Sequence, residues 1–239
     1  MTFRGVIFDW RGTLVTTLSD QDWVREALLL VGRGNDPDGI NRVLTSIRAA
    51  SGDDDRLEGP GVDSDADYHR RTYLQVFGDA GCDDDLARAL YAVESDPRHN
   101  PFAADAVSTV LELRRRGVRV AVLSDIHFDV RPAFTAAGLD DCIDVFTLSF
   151  EQGIQKPDRR MFRRTLSALG VMPADTLMVG DRSGPDGVAV EEGITTLLLP
   201  PLTNVEDRRL HRVLALCEPA ERARAPWNET QTTSGANRY

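Results

Sequence analysis

Gly5-Val6-Ile7-Phe8-Asp9-Trp10-Arg11-Gly12-Thr13-Leu14 decides how the rest of the chain is read. Four residues without a charge, stopped by a carboxylate and then by a glycine, have the length and composition of a strand buried on both faces. Three further runs repeat the pattern: 118–123 before Ser124, 176–179 before Gly180-Asp181, and 194–199 before Pro200. A weaker strand is expected at 144–148. Between them lie stretches of helical period at 104–116, 130–137 and 159–169, closed by Gly117, Gly138 and Gly170. A glycine just past the last turn is a common helix stop. Strands alternating with such helices predict an α/β fold with a Rossmann-like parallel sheet covered on both faces. Ligands of such sheets bind beyond the carboxyl ends of the strands. Asp9, Ser124 and Asp181 all fall there.

Residues 17–99 interrupt the alternation. Helical patterns at 20–30, 37–50, 65–77 and 83–93 are separated by Gly- and Asp-rich loops such as Ser51-Gly52-Asp53-Asp54-Asp55. An all-helical block after a first strand reads as an inserted cap. The expected division is a core of 1–16 and 100–217, a helical cap of 17–99 and a loose tail of 218–239, where apolar content falls. Asp53–55 and Asp83–85 read as solvated loops or helix starts, and His69-Arg70-Arg71 as a helix surface. Trp10 is expected to pack beside the strand-end site and Trp23 to line the cap.

The chain has 239 residues, 41% of them hydrophobic, enough for a sizeable core without covalent staples. Its 38 acidic against 28 basic residues give a formal charge of −10, which argues against a nucleic-acid partner. A small anionic substrate stays compatible, because a local site can be positive on an acidic body. The absence of a long apolar run argues against a membrane span, and the strand-like start against a secretory signal. The three widely spaced cysteines, Cys82, Cys142 and Cys217, read as reduced thiols. A cytoplasmic location is expected. Lys156 is the one lysine among the 28 basic residues, so any chemistry that needs an amine must use it.

Four short segments occur in order at the strand ends: Asp9-Trp10-Arg11-Gly12-Thr13, Ser124-Asp125, Lys156-Pro157-Asp158, and Gly180-Asp181 with Asp186 beyond it. Together they resemble the motifs of the haloacid dehalogenase superfamily of hydrolases, over about 1–17 and 100–200. The resemblance implies a nucleophilic Asp9 that takes a phosphoryl group, a known form of covalent catalysis by carboxylate. It implies that Ser124 and Lys156 hold the transferring group. Thr13 and Asp125 would complete the substrate site. It also implies Mg²⁺ bound by Asp9, the Arg11 backbone carbonyl and Asp181, with Asp186 in contact or just behind. A small phosphorylated or acidic substrate follows from the same resemblance; the oligomeric state does not follow from the sequence.

Arg11 departs from the family pattern, in which most phosphatases carry a second aspartate at that position. In the family that carboxylate protonates the leaving oxygen and then activates water. Such acid–base help contributes about 10²–10⁴-fold, and a guanidinium that stays protonated cannot supply it. Three readings compete. One is a hydrolase whose leaving groups need little protonation, with Asp125 or His127 as the replacement base and Arg11 as an electrostatic aid. A second is a dehalogenase-type hydrolase, since family dehalogenases also lack the second aspartate, though they work without metal. The third is a binding or regulatory protein in which Arg11 pairs with Asp9 or Asp181. A phosphonoacetaldehyde hydrolase would need a cap lysine, and 17–99 contains none.

Overall fold

The protein is described from a computed structural model covering residues 3–217. Its strands are β1 (Gly5–Phe8), β2 (Arg119–Ser124), β3 (Val145–Leu148), β4 (Thr176–Gly180) and β5 (Thr195–Leu198). They form one parallel sheet in the order β3-β2-β1-β4-β5. β1 therefore lies at the centre, and Phe8 is level with Val122 of β2 and Val179 of β4. The order reverses at β1, which places its exit at the crevice between two oppositely wound halves.

The alternation of side chains along each strand fills both faces. Val6, Phe8, Val120, Val122, Leu177 and Val179 point to one apolar cluster, while Ile7, Ala121, Leu123 and Met178 point to another. The first cluster is closed by α5 (Ala106–Arg115) and α6 (Arg131–Ala136), the second by α8 (Arg159–Leu169). Short α7 (Ser149–Gln152) and α9 (Ser183–Gly187) follow β3 and β4. A last helix, α10 (His211–Leu216), packs Val213 and the adjacent Leu210 and Cys217 into the first cluster. No helical pattern was expected there. The segment is six residues, too short for its period to stand out. The loose tail expected from 218 lies outside the described residues.

Between β1 and α5 come α1 (Asp20–Leu30), α2 (Pro37–Ser51), α3 (Ala66–Asp79) and α4 (Asp84–Glu94). They bury a cluster of their own that includes Val24, Leu44, Ile47, Tyr73, Phe77 and Leu90. The aspartates of the connecting loops begin these helices: Asp36, Asp65 and Asp83 accept backbone N–H groups of their first turns. Among the described residues no helix is long and apolar enough to cross a membrane.

Two expectations about single residues change. Trp10 does not edge the strand-end crevice. It is fully buried in the first cluster, against Phe102 and Phe134 at ring-centroid distances of 5.4 and 5.2 Å. The turn after Asp9 forces this, since the Trp10 carbonyl accepts the N–H groups of Thr13, Leu14 and Val15 and holds the side chain inward. His69 is not on a helix surface but fully buried, because that face of α3 meets the loop after β2.

Candidate active site

The parallel register brings Asp9, Ser124, Asp125 and Asp181 to one edge of the sheet. Lys156 reaches them from the loop before α8. Its ammonium donates to Asp9 Oδ1 at 2.8 Å and to Asp186 Oδ1 at 2.6 Å, and all three side chains are buried. Burial pulls the Lys156 pKa down, but Asp9, Asp125 and Asp186 outweigh it and hold the group above its usual value. The ammonium is thus permanently charged and fixed beside Asp9. Burial in turn raises the Asp9 carboxyl, with Lys156 opposing and Asp186 reinforcing.

Both oxygens of Asp186 are engaged. One oxygen takes Lys156, and the other accepts the backbone N–H groups of Asp181 and Arg182 at 3.2 and 3.1 Å. It orients the Gly180-Asp181-Arg182 turn and the ammonium. Gly180 is required there, because a Cβ would overlap the Asp186 carboxylate. Gly12 plays the matching part on the other side. It sits at φ 78°, in the left-handed region, and a Cβ on it would run into the Asp181 carboxylate. Asp181 accepts from Thr13 Oγ1 at 3.3 Å. Burial, then Asp9 and Asp186, push its carboxyl up to about 6.

Asp9, Asp181 and Asp186 each offer an oxygen within 4.8 Å of the others. Converging carboxylate oxygens fit a hard divalent cation, which prefers oxygen donors. Asp9 and Asp181 line the cavity, and Asp186 stands behind them with one oxygen on Lys156. The turn's hydrogen bonds converge on the Trp10 carbonyl and leave that of Arg11 free among the described residues. Thr13 is buried beneath Asp181, and Ser124 is buried with only a weak contact of its hydroxyl to the Asp125 carbonyl at 3.4 Å. Asp125 Oδ1 accepts the Lys156 backbone N–H at 2.8 Å, and burial pushes its carboxyl up to about 6.

Above these residues lies a cavity of about 650 Å³ between the sheet edge and α1–α4. Asp9, Ser124, Asp125 and Asp181 line its floor, and Trp23, Leu44, Tyr73 and Val93 its helical side. Arg11 pairs with neither Asp9 nor Asp181. Its Nη1 donates to Glu94 Oε1 at 2.6 Å, its Nη2 to the Glu94 carbonyl at 2.9 Å, and its Nε to Asn100 Oδ1 at 3.5 Å. Burial disfavours the charge, yet Glu94 overcomes it and keeps the guanidinium above its ordinary pKa.

His127 does not line the cavity. Its Nε2 lies 2.9 Å from Ser95 Oγ and its ring stacks on His69. Of the two replacement bases the sequence suggested, Asp125 alone faces the cavity. Glu94 and Arg182, which also line it, were not singled out in the sequence. Arg182 directly follows Asp181, and that adjacency was the one available signal. Burial opposes its charge, but Asp9, Asp125 and Asp186 hold the Arg182 guanidinium above its usual value.

Comparison with known proteins identifies the family. A phosphoserine phosphatase from Thermus thermophilus is 34% identical over 137 residues, 55% of this chain and 55% of that protein. A glyceraldehyde 3-phosphate phosphatase from Methanothermobacter thermautotrophicus is 29% identical over 101 residues, 41% of this chain and 44% of that protein. The chain thus spans about half the length of the curated relatives it matches. Among solved structures, a HAD phosphatase from Thermococcus onnurineus superposes with TM-score 0.58 at 21% identity, covering 90% of this chain and 97% of that one. An L-2-haloacid dehalogenase from Xanthobacter autotrophicus superposes with TM-score 0.60 at 23% identity, covering 90% and 83%. These two share the fold. The profile of haloacid dehalogenase-like hydrolases matches residues 3–189, and the chain belongs to that family of hydrolases.

Proposed function

We propose that the protein is a Mg²⁺-dependent phosphatase that transfers the phosphoryl group of a small metabolite to Asp9 and clears it slowly. The observation that carries this reading is the buried contact of Lys156 Nζ with Asp9 Oδ1 at 2.8 Å, under a cavity that also meets Ser124 and Asp181. Residues 17–99 serve as its cap, and the phosphatase relatives favour phosphate over halide chemistry.

Asp9 Oδ2, the oxygen that Lys156 does not hold, attacks phosphorus, and the ester oxygen leaves toward the cavity. The Lys156 ammonium and the Ser124 hydroxyl hold the equatorial phosphoryl oxygens. Asp9, Asp181 and the Arg11 carbonyl would hold Mg²⁺, which supplies charge neutralisation at the phosphoryl group when bound. Arg11, tied to Glu94, offers no proton to the leaving oxygen and takes none from water. Substrates with good leaving groups, such as acyl or aryl phosphates, therefore suit the site. In the second step Asp125, which lines the cavity, receives a proton from the attacking water.

The test is turnover of acetyl phosphate and p-nitrophenyl phosphate by wild type, Asp9→Asn and Arg11→Asp, with and without Mg²⁺. Mg²⁺-dependent wild-type turnover that Asp9→Asn abolishes supports the reading, and Arg11→Asp should raise clearance by about 10-fold or more. Wild-type silence with activity only in Arg11→Asp would replace it with a binding role.

A further inference from the structure

A second cluster of ligating side chains lies apart from the carboxylates, where the helical unit meets the core. Asp63 comes from the turn before α3, His69 from α3 and His127 from the loop after β2. Asp63 Oδ1 lies 3.7 Å from His69 Nε2 and 3.7 Å from His127 Nδ1. Those distances exceed a hydrogen bond. Both nitrogens are buried and have no other partner among the described residues. Leaving two buried ring nitrogens unpaired is costly, and here both face the same oxygen.

The outer nitrogens are engaged. His127 Nε2 is 2.9 Å from Ser95 Oγ and His69 Nδ1 is 3.4 Å from Tyr91 OH. Metal-ligating histidines are held in this way, with the non-ligating nitrogen bonded to a neighbour that fixes the tautomer. With the outer nitrogens protonated, two lone pairs and a carboxylate oxygen converge with no donor between them. A cation makes that arrangement favourable.

We propose that Asp63, His69 and His127 form a binding site for a divalent transition-metal ion of the zinc class, distinct from the Asp9–Asp181 site. Two imidazole nitrogens select Zn²⁺ and its neighbours over Mg²⁺. Zinc–ligand bonds of about 2.0–2.2 Å in tetrahedral geometry set donor atoms roughly 3.4 Å apart. The 3.7 Å separations of Asp63 Oδ1 from the two nitrogens are a few tenths of an ångström longer than that. The rings, stacked at 11°, splay as both lone pairs turn to it. Asp63 is partly exposed and lines the cavity, which leaves a position for water. Because His127 belongs to the core and the other two ligands to the helical unit, a bound ion clasps the two together.

Co²⁺ reports the site directly, since tetrahedral nitrogen-ligated Co²⁺ absorbs strongly in the visible and octahedral oxygen-ligated Co²⁺ barely does. The full chain is titrated with Co²⁺ as wild type, Asp181→Asn, Asp63→Asn and His69→Gln. The proposal expects one equivalent of intense absorption in wild type and in Asp181→Asn, displaced by Zn²⁺. Asp63→Asn and His69→Gln should weaken binding about 100-fold or more, and Ser95→Ala about 10-fold. Should His69→Gln fail to fold, the partly exposed Asp63 keeps the test open. A pale spectrum in wild type, absorption that survives Asp63→Asn, or absorption lost in Asp181→Asn would each overturn the assignment.

Discussion

Arg11 and Glu94 face each other across 83 residues of sequence, with Nη1 and Oε1 2.6 Å apart and Nη2 on the Glu94 carbonyl. The side chain two positions after Asp9 is thereby fastened to the last residue of α4. Arg11 joins the strand-end turn to the helical unit, and the same contact removes it from proton transfer.

The pair is only about a quarter exposed, with both side chains near that figure. Charge-assisted hydrogen bonds of this kind contribute about 1.5–3 kcal/mol, and partial solvation lowers that. A double-mutant cycle of Arg11→Ala and Glu94→Ala in urea unfolding should show coupling of about 1 kcal/mol. Additive effects within the error of the cycle would mean that the contact holds nothing together.

Among the described residues Lys156 is the one cation in contact with both Asp9 and Asp186. Lys156→Met leaves two buried carboxylates without a counter-charge, a loss of about 3–5 kcal/mol. Without the ammonium the Asp9 carboxyl, already raised by burial, loses the charge that opposes the shift and moves further above its unfolded pKa. Its ionised form then opposes folding more strongly, and the penalty is largest at high pH. Urea unfolding should show a gap from wild type that is widest near pH 8 and narrows as the pH falls. A gap that widens on acidification would contradict the assigned pairing.

Sequence order carried the fold well and the site in part. β1, β2 and β4 were legible because each is an uninterrupted apolar run ending at a polar residue. Asp9, Ser124 and Asp181 follow from the same signal, as their placement is a property of parallel strands. The inward turn of Trp10 was not legible, since it depends on one carbonyl that gathers three N–H groups. Nor was the burial of His69, because helical period says which residues share a face but not what that face meets. One of the three readings paired Arg11 with Asp9 or Asp181; it pairs instead with Glu94, on an element whose position no local pattern encodes.

Cys217 offers a check on the region where α10 closes the core. Burial pushes its thiol up to about 11. The thiolate is the reactive form, so at pH 8 its ionised fraction is about 100-fold below that of an ordinary thiol. Iodoacetamide at pH 8 should leave Cys217 unmodified in the native protein and label it once urea unfolds the chain, as read by peptide mass. Rapid native labelling would show that α10 does not cover the sheet as described.

On the proposed mechanism Asp9 is phosphorylated faster than it is cleared, because no carboxylate stands at position 11. Rapid-quench kinetics with p-nitrophenyl phosphate and Mg²⁺ separate the two steps. The expected result is a burst of p-nitrophenol approaching one equivalent per active site, followed by slow steady turnover, with a phosphorylated peptide mapping to Asp9. Linear release from the first cycle, with no phosphorylated Asp9 in the quenched protein, would contradict it.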